Sequence, residues 1–292
     1  ACMSLRAFLQ VDVFTSRPTY GNALAVVLEG KDLDTATMQR FAQWTNLSET
    51  TFVLPPTDPK ASYRVRIFTP MAELPFAGHP SVGTAWCLLD AGLVVPDREG
   101  RLVQECGAGL LDVRTQGKGA ARRVSVTAPR AAIVPLHART LDALPDTLRG
   151  AHIVGAQPVL ADVGARWILV EIQGQAAVRN LKPDLNLIAA LSRDLRAEGL
   201  AVFAWDPSQP RAAEVRAFAP ATGVNEDPVT GSANAAIGDW LRSQDRLAGV
   251  GQRYVAAQGA ALGRDGEIEV AVTREGRISI GGACVALVRG AV

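Results

Sequence analysis

At 292 residues the chain exceeds the size that a single hydrophobic core usually serves, so we expect two domains of roughly 150 residues each. Apolar residues make up 48% and charged residues 20% of the sequence, which is typical of a globular protein and excludes a disordered chain. The net charge is +1, and no segment combines clustered Lys or Arg with aromatic residues, so we do not expect nucleic acid as a partner.

The cysteines Cys2, Cys87, Cys106 and Cys284 show no C-x-x-C spacing, which favours a reducing cytoplasm. No window approaches the ~18 to 20 apolar residues that a membrane-spanning helix needs, and no export signal is recognisable, so we expect a soluble protein without a membrane partner. We leave the two residues before Met3 out of the fold prediction. The three histidines form no cluster with zinc-binding spacing, so no metal is expected.

Hydrophobic periodicity predicts strands and helices in a defined order in the first half of the chain. The predicted elements are strands 8–14 and 23–28, helix 34–45, strands 50–54 and 63–68, a Gly/Pro loop 70–80 and helix 81–89. The last helix is apolar on nearly every side, which is typical of a helix enclosed by a sheet.

The second half repeats this order. Its predicted elements are strand 167–172, helix 185–197, strands 201–204 and 214–218, and helix 233–241. Phe52 corresponds to Phe203 and Phe68 to Phe218, at separations of 151 and 150 residues. One repeat of this period predicts two similar lobes.

We therefore predict an α+β fold of two pseudo-symmetric lobes, each an antiparallel sheet wrapped around its own central helix, with the active site in the cleft between them. The predicted lobes are 1–127 and 128–278, and a final strand at 279–292 returns to the first lobe. A parallel nucleotide-binding fold fits less well, because no G-x-G-x-x-G follows a predicted strand and no G-x-x-x-x-G-K-[ST] is present.

The loops 76–81 and 225–233 precede the two central helices at equivalent places of the repeat. A helix start presents unpaired N–H groups and the positive end of its dipole, so each loop suits an anion. We therefore predict a small substrate that bears a carboxylate. The residues predicted to bind it are Asn22, Gly78, Ser81, Gly231 and Ala233.

The polar residues of these loops have ordinary explanations when taken singly. Ser232 could cap a helix, and Asp227 before a proline could form a turn. Their joint occurrence at matched places favours a function. His79 lies between Gly and Pro at a helix start, whereas His137 and His152 have no such context.

Glu49 lies where the first helix meets an apolar strand. Burial there would raise the pKa of this carboxyl towards neutrality, which suits a group that must both accept and donate a proton. Position alone leaves open a second explanation, a solvated glutamate at the end of a helix.

Six segments, taken in order across the chain, resemble the motif series of the phenazine-biosynthesis isomerase-like (PhzF-like) family. They are Asp12-Val-Phe-Thr, Gly21-Asn22, Leu47-Ser-Glu-Thr-Thr-Phe, Phe68-Thr-Pro, Glu73-Leu-Pro-Phe-Ala-Gly-His-Pro80 and Glu226-Asp-Pro-Val-Thr-Gly-Ser-Ala233. The resemblance implies the diaminopimelate-epimerase-type fold, in which each lobe is a barrel-like sheet around a helix, and it implies a homodimer.

The resemblance also implies an isomerisation without cofactor, in which a glutamate moves a proton within the substrate while His, Asp and Ser side chains position it. By motif match the glutamate is Glu49, and the supporting residues are His79, Asp227 and Ser232. The chain is thus predicted to be a cofactor-independent isomerase of a small carboxylate-bearing substrate.

Two other functions stay open. Epimerases and racemases of this fold use two opposed cysteines, but the matching positions here are Ala77 and Thr230, so a second base opposite Glu49 would have to be Asp227 or His79. A non-catalytic metabolite-binding protein is the other alternative. The set of ionisable groups argues against it, because binding alone does not require an acid/base carboxyl.

Overall fold

A computed structural model describes residues 5–292, so Cys2 and the other residues set apart at the start lie outside the described part. The chain forms two compact units. The first unit ends at Thr127 and also includes the C-terminal segment Gly281–Val292. The second unit is Ala128–Ile280.

Strands predominate over helices in both units. The strands are β1 (Ala7–Val13), β2 (Asn22–Val27), β3 (Glu49–Leu54), β4 (Tyr63–Phe68), β5 (Glu73–Leu74), β6 (Arg101–Cys106), β7 (Gly109–Gln116), β8 (Arg123–Thr127), β9 (Ala132–Pro135), β10 (Val159–Asp162), β11 (Arg166–Glu171), β12 (Gly199–Trp205), β13 (Ala213–Ala219), β14 (Val224–Asp227), β15 (Arg253–Gln258), β16 (Gly266–Val272), β17 (Ile278–Gly282) and β18 (Cys284–Ala291). The α-helices are α1 (Thr35–Thr45), α2 (Gly78–Asp90), α3 (Ala138–Thr147), α4 (Gln175–Asn180), α5 (Leu185–Leu195) and α6 (Gly231–Ser243).

The sheet of the first unit surrounds helix α2. Strand β1 pairs antiparallel with β18 and β2, β2 pairs in parallel with β3, and β3 pairs antiparallel with β4. Strand β4 then pairs in parallel with β6, and β7 and β8 follow antiparallel. Helix α2 contacts β1 to β4 and also β8, and its residues from Gly78 to Leu88 are all buried.

The second unit repeats this pattern around helix α6. Strand β10 pairs antiparallel with β9 and β11, β11 in parallel with β12, and β12 antiparallel with β13. Strand β13 pairs in parallel with β15, which pairs antiparallel with β16. Parallel neighbours need a crossover connection, and α2 and α6 provide it at the same step of each unit. The structure therefore confirms the predicted repeat.

The central helices begin earlier than the sequence predicted. Helix α2 starts at Gly78 and α6 at Gly231, whereas the predicted starts were residues 81 and 233. Proline is tolerated in the first turn of a helix because the N–H that it lacks would be unpaired there, so Pro80 lies inside α2. The predicted loop 70–80 also contains the short strand β5.

Repeated aromatic residues anchor the two cores. Phe52 and Phe68 meet edge to face with 5.6 Å between their ring centroids. In the second unit Phe203 meets Trp240 at 5.5 Å in the same manner. Burying one such side chain contributes roughly 1.5–3 kcal/mol, so these positions resist polar substitution in both halves of the repeat.

Helix α2 packs closely on its sheet at Gly83. A Cβ added there would lie 2.7 Å from Cγ2 of Val13 and 2.6 Å from Cδ2 of Leu24, and both of these side chains are fully buried. We predict that Gly83→Ala lowers the free energy of unfolding by about 1–3 kcal/mol, because an overpacked core must shift. Urea unfolding measures this change. Gly249→Ala is the control, since nothing lies within 4 Å of its added Cβ, and an equal midpoint for both variants would contradict the close packing.

Candidate active site

His79 lies in the first turn of α2 and is only 4% exposed. Its Nε2 is 3.2 Å from Oε2 of Glu49, the first residue of β3. Its Nδ1 is 3.4 Å from Nδ2 of Asn22, the first residue of β2. Strands β2 and β3 are parallel neighbours and α2 packs on both, so the topology brings these three side chains together.

The hydrogen bond with Asn22 determines where the imidazole proton lies. The Nδ2 group of Asn22 can only donate, so Nδ1 of His79 accepts and the ring proton is on Nε2, the nitrogen that lies 3.2 Å from Oε2 of Glu49. Burial lowers the pKa of His79 to about 3. The ring is therefore neutral at pH 7, and its contact with Glu49 is that of a neutral N–H group with a carboxyl oxygen.

Glu49 is not a solvated residue at the end of a helix. Its side chain is 15% exposed, and the residue begins a strand whose next four positions are buried. Of the two explanations that the sequence position left open, the structure therefore supports the buried glutamate. Its role in proton transfer stays a prediction.

Asp12 shapes the turn that precedes Asn22. It is 2% exposed on β1, and its Oδ2 accepts a hydrogen bond of 3.1 Å from the backbone N–H of Gly21. A Cβ on Gly21 would lie 2.2 Å from the carbonyl oxygen of Val13, so this approach requires glycine. The motif residues Asp12 and Gly21 thus place Asn22 beside His79.

The hydroxyl of Ser81 holds the start of α2. It donates to the carbonyl oxygen of Ala77 at 2.9 Å and accepts from Nε2 of Gln104 at 2.9 Å. Oε1 of Gln104 in turn accepts from the hydroxyl of Tyr63 at 3.1 Å. Because Ser81 is fully buried in this network, its predicted contact with substrate, like that of Gly78, stays a prediction.

The second unit carries the remaining predicted catalytic residues. Asp227 ends β14, and its Oδ2 accepts a hydrogen bond of 2.5 Å from the hydroxyl of Thr230. Ser232 is the second residue of α6, the helical position that His79 occupies in α2, and its hydroxyl accepts from Nε1 of Trp167 at 3.0 Å. Gly231 and Ala233 flank Ser232 in the first turn of that helix.

A bidentate ion pair fixes the residue before Asp227. Nε and Nη2 of Arg216 donate to the two carboxylate oxygens of Glu226 at 2.8 and 2.7 Å, and both side chains are at most 10% exposed. Arg66 and Glu73 form the equivalent pair in the first unit at 2.7 and 2.6 Å. Neither arginine lies in one of the six motif segments, so the sequence motifs do not show these pairs. The 150-residue separation of the two arginines was the available signal.

Within residues 5–292 the structure brings together no group of three or more His, Cys, Asp and Glu side chains that could hold a metal ion. No helix in the same range is long and apolar enough to cross a membrane. Ala77 and Thr230 are the N-caps of α2 and α6, so neither helix start carries a thiol. Burial raises the pKa of the thiols of Cys87 and Cys284. Both thiols therefore stay protonated at neutral pH and cannot accept a proton.

Comparison with known proteins gives one consistent family. The family model described as "Phenazine biosynthesis-like protein" matches residues 11–290. An uncharacterized isomerase from Mesorhizobium japonicum is 35% identical over 94% of this chain and 93% of its own length. The trans-2,3-dihydro-3-hydroxyanthranilate isomerase of Pseudomonas aeruginosa is 34% identical over 89% of this chain and 88% of its own length.

The fold has close counterparts among solved structures. A predicted epimerase from Pseudomonas aeruginosa has a TM-score of 0.82 at 29% identity, and the match covers 98% of this chain and 99% of that one. The predicted α+β fold of the diaminopimelate-epimerase type is confirmed.

The burial of His79 makes stability depend on pH. Its pKa falls from 6.5 to about 3 on folding, so between these values the unfolded chain binds a proton that the folded chain does not. The free energy of unfolding should therefore fall as pH drops below about 6.5, by up to ~1.4 kcal/mol per pH unit from this residue. We predict that His79→Gln reduces the difference between urea unfolding at pH 7 and pH 5.

His137→Gln, at an exposed position, is the matched control and should keep the wild-type difference. Equal pH dependence of wild type and His79→Gln would contradict a neutral, buried imidazole.

Proposed function

The chain belongs to the phenazine biosynthesis-like protein family, and we propose that it is a cofactor-independent isomerase in which Glu49 moves a proton within a small carboxylate-bearing substrate. The contact between Glu49 and His79 is the observation that supports this proposal most directly. Its curated relatives from Mesorhizobium japonicum and Pseudomonas aeruginosa are both named isomerases.

The neutral state of His79 is compatible with a role of Glu49 as a general acid and base. A charged imidazolium beside the carboxyl would favour its ionised form strongly and make it a weak base. A neutral N–H group orients the carboxylate with a much smaller effect on its basicity. Because His79 is neutral and its Nε2 lies 3.2 Å from Oε2 of Glu49, we assign the positioning of the glutamate to His79 and the moving proton to Glu49.

The proposed reaction has two proton transfers. An oxygen of Glu49 takes a proton from a substrate carbon next to a double bond. The electrons of that C–H bond form a new double bond to the neighbouring carbon, and the π electrons of the old double bond move to its far carbon. Glu49 then returns the proton to a different carbon, which restores the enzyme and leaves the substrate with its double bond moved. A single carboxylate suits such an activated C–H bond better than the α-carbon of an ordinary amino acid.

Substrate binding is assigned to the two helix starts. Helices α2 and α6 are 13 residues long, and their first turns hold the small residues Gly78, Gly231 and Ala233, which let a carboxylate approach the backbone N–H groups. We assign the positioning of the substrate to Asp227 and Ser232, as the family motif implies.

We also propose that the protein works in the reducing cytoplasm as a homodimer. The cysteines Cys87, Cys106 and Cys284 are free thiols, which agrees with a reducing compartment. The family resemblance supports the dimer.

Epimerisation is the second candidate function, since the similar structure from Pseudomonas aeruginosa is described as a predicted epimerase. The N-caps Ala77 and Thr230 argue against the mechanism with two opposed thiols. An epimerase here would need a second base, and its product would carry solvent deuterium with inverted configuration at the same carbon. The isomerase instead yields deuterium at a new carbon, in those turnovers in which the proton on Glu49 exchanges with solvent before it is returned.

The test is NMR in deuterated water with a panel of small cyclic and acyclic amino- and hydroxy-carboxylates that contain a C–H bond next to a double bond. We predict that wild type incorporates deuterium into at least one compound. Glu49→Gln should lose at least about 100-fold in rate with an unchanged melting temperature, because an amide cannot relay a proton.

Glu99→Gln, at an exposed position, is the matched control and should keep the wild-type rate. Undiminished exchange in Glu49→Gln would refute the role of Glu49. Binding of several compounds without exchange in any of them would instead favour a metabolite-binding protein.

A further inference from the structure

Gln258, the last residue of β15, is buried behind the loop that carries Asp227. It is 2% exposed, and its Nε2 donates to the backbone oxygen of Asp227 at 3.0 Å and to Oγ1 of Thr230 at 2.9 Å. Its Oε1 accepts from the backbone N–H of Thr230 and from Nδ2 of Asn234, both at 3.0 Å. Two donors and two lone pairs are the full capacity of this amide, so its orientation is fixed.

This orientation sets the direction of the hydroxyl of Thr230. Oγ1 of Thr230 accepts a proton from Gln258, so its own single proton is available for Oδ2 of Asp227 at 2.5 Å. The opposite direction is excluded, because an amide NH2 group has no lone pair to accept with. A one-way hydrogen-bond chain therefore runs from Gln258 through Thr230 to the carboxylate of Asp227.

The first unit contains a related arrangement, in which the hydrogen bond between the glutamine and the fourth residue of the helix runs in the opposite direction. Nε2 of Gln104 donates to Ser81, which donates to the backbone oxygen of Ala77. In the second unit Asn234 donates to the backbone oxygen of Thr230 in the same way. The pairs Ser81 and Asn234, and Ala77 and Thr230, are each separated by 153 residues. Ala77 has no side-chain donor, so only the second unit extends the chain to a carboxylate.

We propose that Thr230, oriented by Gln258, is a positioning residue that holds the carboxylate of Asp227 in the orientation required by the substrate. In both units a side chain of the helix donates to the backbone oxygen of the N-cap residue. This contact does not require a hydroxyl on the N-cap residue, since Ala77 has none. The second unit adds the hydroxyl of Thr230, which donates a hydrogen bond to Asp227, a residue that we assign to substrate contact. The inference rests on the proposed function for that contact.

Two substitutions of Thr230 separate positioning from packing. Thr230→Val keeps the shape and removes the hydroxyl, whereas Thr230→Ser keeps the hydroxyl and removes a methyl group from a site that is 5% exposed. We expect Thr230→Val to lower kcat/KM roughly 10- to 100-fold, chiefly through KM, because a hydrogen bond to a charged group is lost. Thr230→Ser should restore the rate to within about threefold of wild type. A packing role predicts the reverse order and would overturn the proposal.

A second measurement does not depend on activity. The side-chain amide protons of Gln258, assigned by their absence in Gln258→Glu, should exchange slowly with solvent in ¹⁵N NMR spectra, and Thr230→Val should shift one of them. The amide of Gln104 is the matched control and should not move. Rapid exchange at Gln258, or no shift in Thr230→Val, would overturn the chain of hydrogen bonds. Full activity of Asp227→Asn would refute the proposed role of Asp227 separately.

Discussion

Burial keeps His79 neutral, and this neutral ring sets the electrostatic environment of the neighbouring carboxyl of Glu49. Because Asn22 donates to one ring nitrogen of His79, the ring proton is on the other nitrogen, which lies 3.2 Å from the carboxyl of Glu49. This arrangement depends on the parallel pairing of β2 with β3 and on the packing of α2 over both. The central helix thus does more than fill the core of its unit, since its first turn fixes the environment of the proposed acid/base group.

The two units share a framework and differ in chemistry. Each has a bidentate Arg–Glu pair before its central helix, and in each a buried glutamine holds the fourth residue of that helix. At equivalent positions, however, one helix carries His79 where the other carries Ser232, and one has Ala77 where the other has Thr230. The repeated contacts stabilise the helix starts, and the side chains that differ are the ones to which we assign separate roles.

The sequence predicted the repeat and the central helices, because these depend on periodicity and on local motif chemistry, whereas the sequence position alone left the burial of Glu49 open. The predicted start of α2 is three residues late, because a proline in a sequence often marks a helix boundary, whereas Pro80 lies in the first turn of the helix. The sequence shows no sign of the roles of Gln104 and Gln258. A polar residue in a strand is usually assigned to the face that is exposed to solvent. Both glutamines are buried instead and form hydrogen bonds with residues at the helix starts, and the sequence alone does not show these partners.

We propose that one carboxyl both takes and returns the proton. This claim is tested most directly by asking whether deuterium from the substrate is retained in the product. A compound that the enzyme converts is deuterated at the carbon that loses its proton and is turned over once in ordinary water, and the product is analysed by mass spectrometry and NMR. The account predicts that a measurable fraction of product carries deuterium at the new carbon, since Glu49 is only 15% exposed and holds one proton. Complete loss of deuterium to solvent in every turnover would contradict it.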